Sequence, residues 1–199
     1  EIKTVGVIRS DEKRRVYEIA WPMGVIAALI PSTNPTSTAM FKILISIKAR
    51  NGIVVAPHPA AAKCTAEATR ILAEAAERAG APKGLIGCMT SISLPGTNEL
   101  MKHRRTALIL ATGGGAMVKA AHSVGKPAYG VGPGNVPCYI DRSADIKQAA
   151  KYLVSSKAFD YSVICATEQA AVVDQAIASE FERAVVAEGG YFVDENQAD

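Results

Sequence analysis

Two hydrophobic periods alternate along the chain. Short runs that are apolar at nearly every position are followed by longer stretches in which apolar residues return every three or four positions. Gly24–Ile30 (GVIAALI), Gly52–Ala56 (GIVVA), Gly84–Met89, Thr106–Ala111 (TALILA) and Pro127–Val131 belong to the first kind and read as strands buried on both faces. Thr36–Arg50, the stretch from Lys63 to Ala79, and Gly114–Val124 belong to the second and read as helices. The clearest helix places Cys64, Ala68, Ile71, Leu72, Ala75 and Ala79 on one face. Lys63, Glu67, Arg70, Glu74, Glu77 and Arg78 fall on the other, and Gly80 with Pro82 just beyond closes it.

Continuous apolar strands separated by helices predict an α/β fold with a parallel sheet covered on both faces. Ligands of such sheets bind beyond the carboxyl ends of the strands. The loops expected there are Pro31-Ser32-Thr33-Asn34-Pro35, Pro57-His58-Pro59, Thr112-Gly113-Gly114-Gly115 and Gly132-Pro133-Gly134-Asn135. From about Val136 the texture changes. Val136–Ile140 and Ala170–Val173 read as short strands, and Asp174 as the N-cap of a helix with Ile177, Phe181, Ala184 and Val185 inward. This second region reads as the start of a further domain.

Composition narrows the function classes. Apolar residues make up 49% and charged residues 21% of 199, and the net charge is +3. That balance describes an ordinary globular domain and lacks the basic stripe of a nucleic-acid binder. Arg14-Arg15 and Lys102-His103-Arg104-Arg105 are the densest basic clusters and read as solvated turns, with a phosphate-facing patch as the alternative. No apolar run reaches the roughly 18 residues of a membrane span. The four cysteines show no metal-ligand spacing and suit free thiols in a reducing compartment.

Several residues could carry chemistry, each with a plainer alternative. The triple glycine Gly113–Gly115 ends a strand and opens a helix, where bare backbone amides attract phosphate; a tight turn would look the same. Asn34, held between two prolines, could aim its amide at a developing oxyanion or simply cap the next helix. His58 could be no more than a polar loop residue. Cys64, Cys88 and Cys138 read as core. Cys165 stands apart, because small and polar neighbours (Ala166-Thr167-Glu168-Gln169) suggest an element end where a thiolate could act as a nucleophile.

Five stretches in order, IPSTNPTSTAMFK, APHPAAAK, ILATGGGAMVKAA, GKPAYGVGPGN and KAFDYSVICATEQ, strongly resemble the CoA-acylating branch of the aldehyde dehydrogenase superfamily. They are similar to acetaldehyde/propionaldehyde dehydrogenases (acetylating) and to the aldehyde dehydrogenase half of bifunctional aldehyde–alcohol dehydrogenases. The resemblance spans essentially the whole chain, as a middle piece of such proteins. It implies a Rossmann-like NAD-binding domain over 1–131 and the N-terminal part of the catalytic domain over 132–199. It implies Cys165 as the nucleophile and Asn34 as an oxyanion donor. Leu29, Ile30, Pro31, Ser32, Thr33, Asn34, His58, Thr112, Gly113, Gly114, Gly115 and Gly132 are the positions it places at the cofactor.

Hydrolytic members of the superfamily carry a water-activating Glu in the loop that here reads Gly130-Val131-Gly132-Pro133-Gly134, which holds no acid. The implied reaction is therefore aldehyde, NAD⁺ and CoA to acyl-CoA and NADH, with acetaldehyde or propionaldehyde as first choices. A CoA-independent enzyme giving a free acid, or a non-catalytic dinucleotide-binding or assembly module, are the alternatives. The resemblance further implies a homo-oligomer in the cytoplasm or in a bacterial microcompartment, and no metal.

Overall fold

The computed structural model describes residues 2–194. The chain divides into two compact units, the first running to Gly132 and the second beginning at Pro133.

The first unit opens with an antiparallel hairpin of β1 (Gly6–Asp11) and β2 (Val16–Ala20), whose register slips between Val7 and Arg9. Neither apolar period marks this hairpin in the sequence. The turn lacks glycine, and Arg15 takes the left-handed conformation (φ 56°) in its place. Five parallel strands follow: β3 (Val25–Leu29), β4 (Gly52–Ala56), β5 (Ile86–Cys88), β6 (Thr106–Thr112) and β7 (Ala128–Val131). Their order across the sheet is β5-β4-β3-β6-β7. The chain leaves β3 toward one edge and returns on its other side, so the strand order reverses between β3 and β6. A crevice opens at the carboxyl ends of strands where such a reversal occurs.

Alternate residues of β3 serve the two faces of the sheet. Ile26 and Ala28 pack with Ala39 and Ile43 of α1 (Pro35–Lys48) and with Leu72, Ala73 and Ala76 of α2 (Ala62–Arg78). Ala27 and Leu29 pack on the opposite face with Met101 of α3 (Leu94–Lys102) and Ala121 of α4 (Gly115–His122). Both faces are thus covered, as the unbroken apolar strands require.

The face of α2 differs from the expectation. Cys64 is exposed, and Thr65, Ala68 and Thr69 are the buried positions. The threonines can turn inward because each hydroxyl donates one turn back, Thr65 Oγ1 to the Ala61 carbonyl at 2.8 Å and Thr69 Oγ1 to the Thr65 carbonyl at 2.7 Å. Counting only apolar residues missed them and rotated the predicted face. Cys88 and Cys138 are half-buried at the margins of their cores, not inside them.

In the second unit, β8 (Pro137–Ile140) pairs in parallel with β9 (Ala170–Val173). The connection runs through α5 (Ile146–Ala158), and α6 (Ala178–Ala187) follows β9. Ile140, Ala150, Phe181 and Val185 form the core, with Ile177 and Ala184 at its edge. Asp174 does not cap α6. Its carboxylate accepts from the Ala176 amide at 3.0 Å and pairs with Arg142 at 2.9 Å, forming a turn before the helix, whose N-cap is Ile177.

Candidate active site

The loops after β3, β4 and β6, with the start of α3, enclose a cleft of about 410 Å³ in the first unit. Leu29, Ile30 and Pro31 form one wall, Pro57, His58 and Pro59 a second, and Thr112, Gly113 and Gly114 a third. Seven of the positions expected at a cofactor therefore meet here. Ser32, Thr33, Asn34, Gly115 and Gly132 do not line this cleft.

Local chemistry explains each wall. Pro31 and Pro35 stiffen the loop between β3 and α1. Asn34 occupies the N-cap position of α1, but its side chain makes no cap bond. Its Oδ1 accepts from Thr33 Oγ1 at 3.1 Å, so the plain capping alternative does not describe it. His58 Nδ1 accepts from the Ala60 amide at 3.1 Å and caps the single 3₁₀ turn at Pro59–Ala61. Gly114 is the N-cap of α4 and offers no side chain to the helix amides. Those amides carry the positive end of the helix dipole toward the cleft. The Gly113 amide donates to Val131 at 3.1 Å and ties the end of β6 to that of β7. At Gly130 a Cβ would stand 2.5 Å from Val118 and 2.8 Å from His122, so α4 lies directly on the bare backbone of β7.

The remaining wall carries no apolar period in the sequence. Ile92, Ser93, Leu94 and Thr97 come from the start of α3 and the residues just before it. The signal was present: Ser93 accepts from the Gly96 amide at 3.1 Å, and Pro95 lies in the first turn, a serine-capped start with an early proline.

Lys42 is also new. It lies on α1, 4% exposed, and its Nζ donates to the carbonyls of Leu29 at 2.7 Å and Leu110 at 2.8 Å. These bonds join β3 to β6 where the strand order reverses. Burial pushes its ammonium down to about 7. A neutral amine has two N–H groups, enough for both carbonyls. Elsewhere, burial raises the Cys88 thiol, partly opposed by a hydrogen bond with Thr69.

Cys165 belongs to the second unit and is exposed. It sits in a turn between α5 and β9, after a short irregular segment at Phe159–Ser162. The loop Gly130–Gly134 carries no carboxylate. Among the described residues no His/Cys/Asp/Glu group could hold a metal ion, and no helix is long and apolar enough to cross a membrane.

Residues 2–190 match the aldehyde dehydrogenase family. The chain belongs to that family. Among aldehyde dehydrogenases of known sequence it is 51% identical over 195 residues to an aldehyde-alcohol dehydrogenase of Streptococcus pneumoniae, which spans 98% of this chain and 22% of that protein. Among solved structures it resembles an acetylating aldehyde dehydrogenase from Geobacillus thermoglucosidasius at TM-score 0.91 and 61% identity, over 98% of this chain and 43% of that one. A Rhodopseudomonas palustris propionaldehyde dehydrogenase with bound propionyl-CoA superposes at TM-score 0.82 and 34% identity, covering 88% of this chain and 39% of that one. The chain thus spans less than half the length of these aldehyde dehydrogenases.

Proposed function

We propose that the protein containing this chain is a CoA-acylating aldehyde dehydrogenase, converting a small aldehyde, NAD⁺ and CoA to acyl-CoA and NADH, reversibly. The observation that carries this reading is that one chain of this family holds both a glycine-walled cleft at the strand-order reversal and, in its second unit, an exposed cysteine. The acetylating and CoA-bound relatives point the same way.

The cleft fits a dinucleotide on the chemistry of its own atoms. Gly114 leaves the first amides of α4 uncapped by any side chain, which suits a pyrophosphate, and Leu29, Ile30 and Pro31 offer an apolar wall. Bound there, NAD⁺ would accept the hydride. In our reading Cys165 attacks the aldehyde carbonyl as its thiolate, forming a thiohemiacetal. Asn34 and the Cys165 amide donate to the oxyanion. Loss of hydride leaves a thioester on Cys165. The thiol of CoA then attacks that thioester, losing its proton to solvent, and Cys165 departs as thiolate, ready for another turnover. A loop without a carboxylate at Gly130–Gly134 offers no base to activate water and favours the thiol as acceptor.

On the same reading residues 1–131 bind the dinucleotide and 132–199 begin the catalytic domain. The exposed apolar side chains of the hairpin and the segment after it, Tyr17, Ile19 and Trp21, support a self-associating protein. Acetaldehyde and propionaldehyde are the preferred substrates, and the cytoplasm or a microcompartment is the setting.

NADH formation from acetaldehyde and NAD⁺, with and without CoA, tests the proposal in the full-length protein and in Cys165→Ala. The expected outcome is CoA-dependent NADH that the substitution abolishes. NADH with no need for CoA would instead indicate release of free acid. NADH that survives the substitution would remove Cys165 from the chemistry.

A further inference from the structure

The segment that carries Cys165 is built under unusual constraint. Asp160, Tyr161 and Ser162 adopt φ of 49°, 53° and 61°, three successive left-handed residues without a glycine among them. Such a run persists only where surrounding bonds determine it. The Val163 amide closes the run on the Asp160 carbonyl at 3.1 Å, and Thr167 ties its end to the far side of the cysteine. Its amide donates to the Ile164 carbonyl at 3.1 Å, and its Oγ1 donates to the same carbonyl at 3.0 Å. The hydroxyl has one hydrogen, so at 3.2 Å from Ser162 Oγ it acts as the acceptor there. Thr167 is 5% exposed, while Cys165 and Ala166 beside it are exposed. Just downstream, Gln169 exchanges two bonds with Val136: its amide donates to the Val136 carbonyl at 3.0 Å, and its Oε1 accepts from the Val136 amide at 2.6 Å. The loop is thereby anchored at the start of β8.

We infer that Thr167 is a positioning residue for Cys165: its buried hydroxyl, just after the cysteine, ties back to the Ile164 carbonyl and the Ser162 hydroxyl before it and holds the thiol at the exposed apex of the turn. This rests on the reading of Cys165 as the nucleophile. A bridge that spans the cysteine fixes the backbone on both sides of it with one buried group. Without that group the left-handed turn relaxes and the thiol spends less time at the apex. Displacing a reacting atom by about 1 Å costs on the order of 100-fold in rate.

The test uses the full-length protein with Cys64→Ser, which removes the other exposed thiol among the described residues, and alkylation is read on the peptide that carries Cys165. Thr167→Val keeps the side-chain shape and deletes the hydroxyl. Thr167→Ser keeps the hydroxyl. Ser162→Gly deletes the other end of the bridge while accepting the positive φ without strain. For each, kcat and KM for CoA-dependent NADH formation, the rate of Cys165 alkylation by iodoacetamide and the thermal midpoint are measured.

Thr167→Val is expected to lower kcat by about ten-fold or more and alkylation by about five-fold, leaving KM for NAD⁺ unchanged. Thr167→Ser restores both rates to within about three-fold of the parent. Ser162→Gly slows both rates without lowering the thermal midpoint, so it decides the matter if Thr167→Val does not fold. Unchanged rates in Thr167→Val and Ser162→Gly, or Thr167→Ser as slow as Thr167→Val, overturn the inference. A parent that makes no CoA-dependent NADH would refute the proposed reaction instead. The alkylation rates alone would then decide whether Thr167 holds this thiol.

Discussion

At the scale of single residues, Lys42 is the least expected group in the chain. Lysine is almost never fully buried without partners, and here two strand carbonyls supply them. Its protonation couples to stability. The unfolded chain keeps the proton up to the ordinary value of 10.5, and the folded chain only up to about 7. Between those values the unfolded state binds more protons, so stability from this group rises with pH across that window and is flat below it. Lys42→Met removes the titration together with both hydrogen bonds. Its destabilisation, measured by urea unfolding, is expected to grow by about 1–3 kcal/mol between pH 7 and pH 9.5. A constant difference across that range would show that Lys42 keeps an ordinary proton affinity in the folded protein. Nothing in the apolar pattern could announce this residue, because helical spacing marks position 42 as inward but cannot say that a strand carbonyl waits there.

At the scale of elements, helix starts determine the walls of the cleft. Ser93 caps α3 and also lines the cleft, whereas Asp145 caps α5 in the other unit by accepting from the Gln148 amide at 3.0 Å. Ser93→Ala and Asp145→Ala should each cost about 1 kcal/mol in thermal or urea unfolding. If the cleft takes the dinucleotide as proposed, only Ser93→Ala should also weaken its affinity, measured by calorimetry on the full-length protein. Equal losses of affinity in both variants would detach the cap from the cleft. The parallel strands and the helices between them were legible, because a strand buried on both faces must be apolar throughout and an amphipathic helix must repeat every three to four residues. Elements with other sources of stability were not. The β1–β2 hairpin buries little and has a glycine-free turn. The starts of α3 and α5 are marked by caps, not by an apolar face. The glycine, proline and histidine positions of the cleft were legible because strand ends in a parallel sheet point to one rim. Ser93 and Thr97 escaped notice because their helix did.

At the scale of the whole molecule, each unit has its own core, and the cores are unequal. Ile26, Ala28, Ile53, Val55 and Ile109 of β3, β4 and β6 are almost wholly buried, whereas β9 exposes most of its residues. Native-state hydrogen exchange read by mass spectrometry should therefore find the slowest amides in β3, β4 and β6, with β8 and β9 opening at lower free energy. Uniform protection across both sheets would mean that the two units unfold as one. The sheet order has a further consequence for biosynthesis. β3 pairs with β4 soon after both emerge from the ribosome, but its other neighbour begins only at Thr106. At about 5–20 residues per second, roughly 4–16 s separate the synthesis of Val25 from that of its partner. For that interval the most apolar strand of the finished sheet is an open edge, the kind of surface to which chaperones and other nascent chains bind.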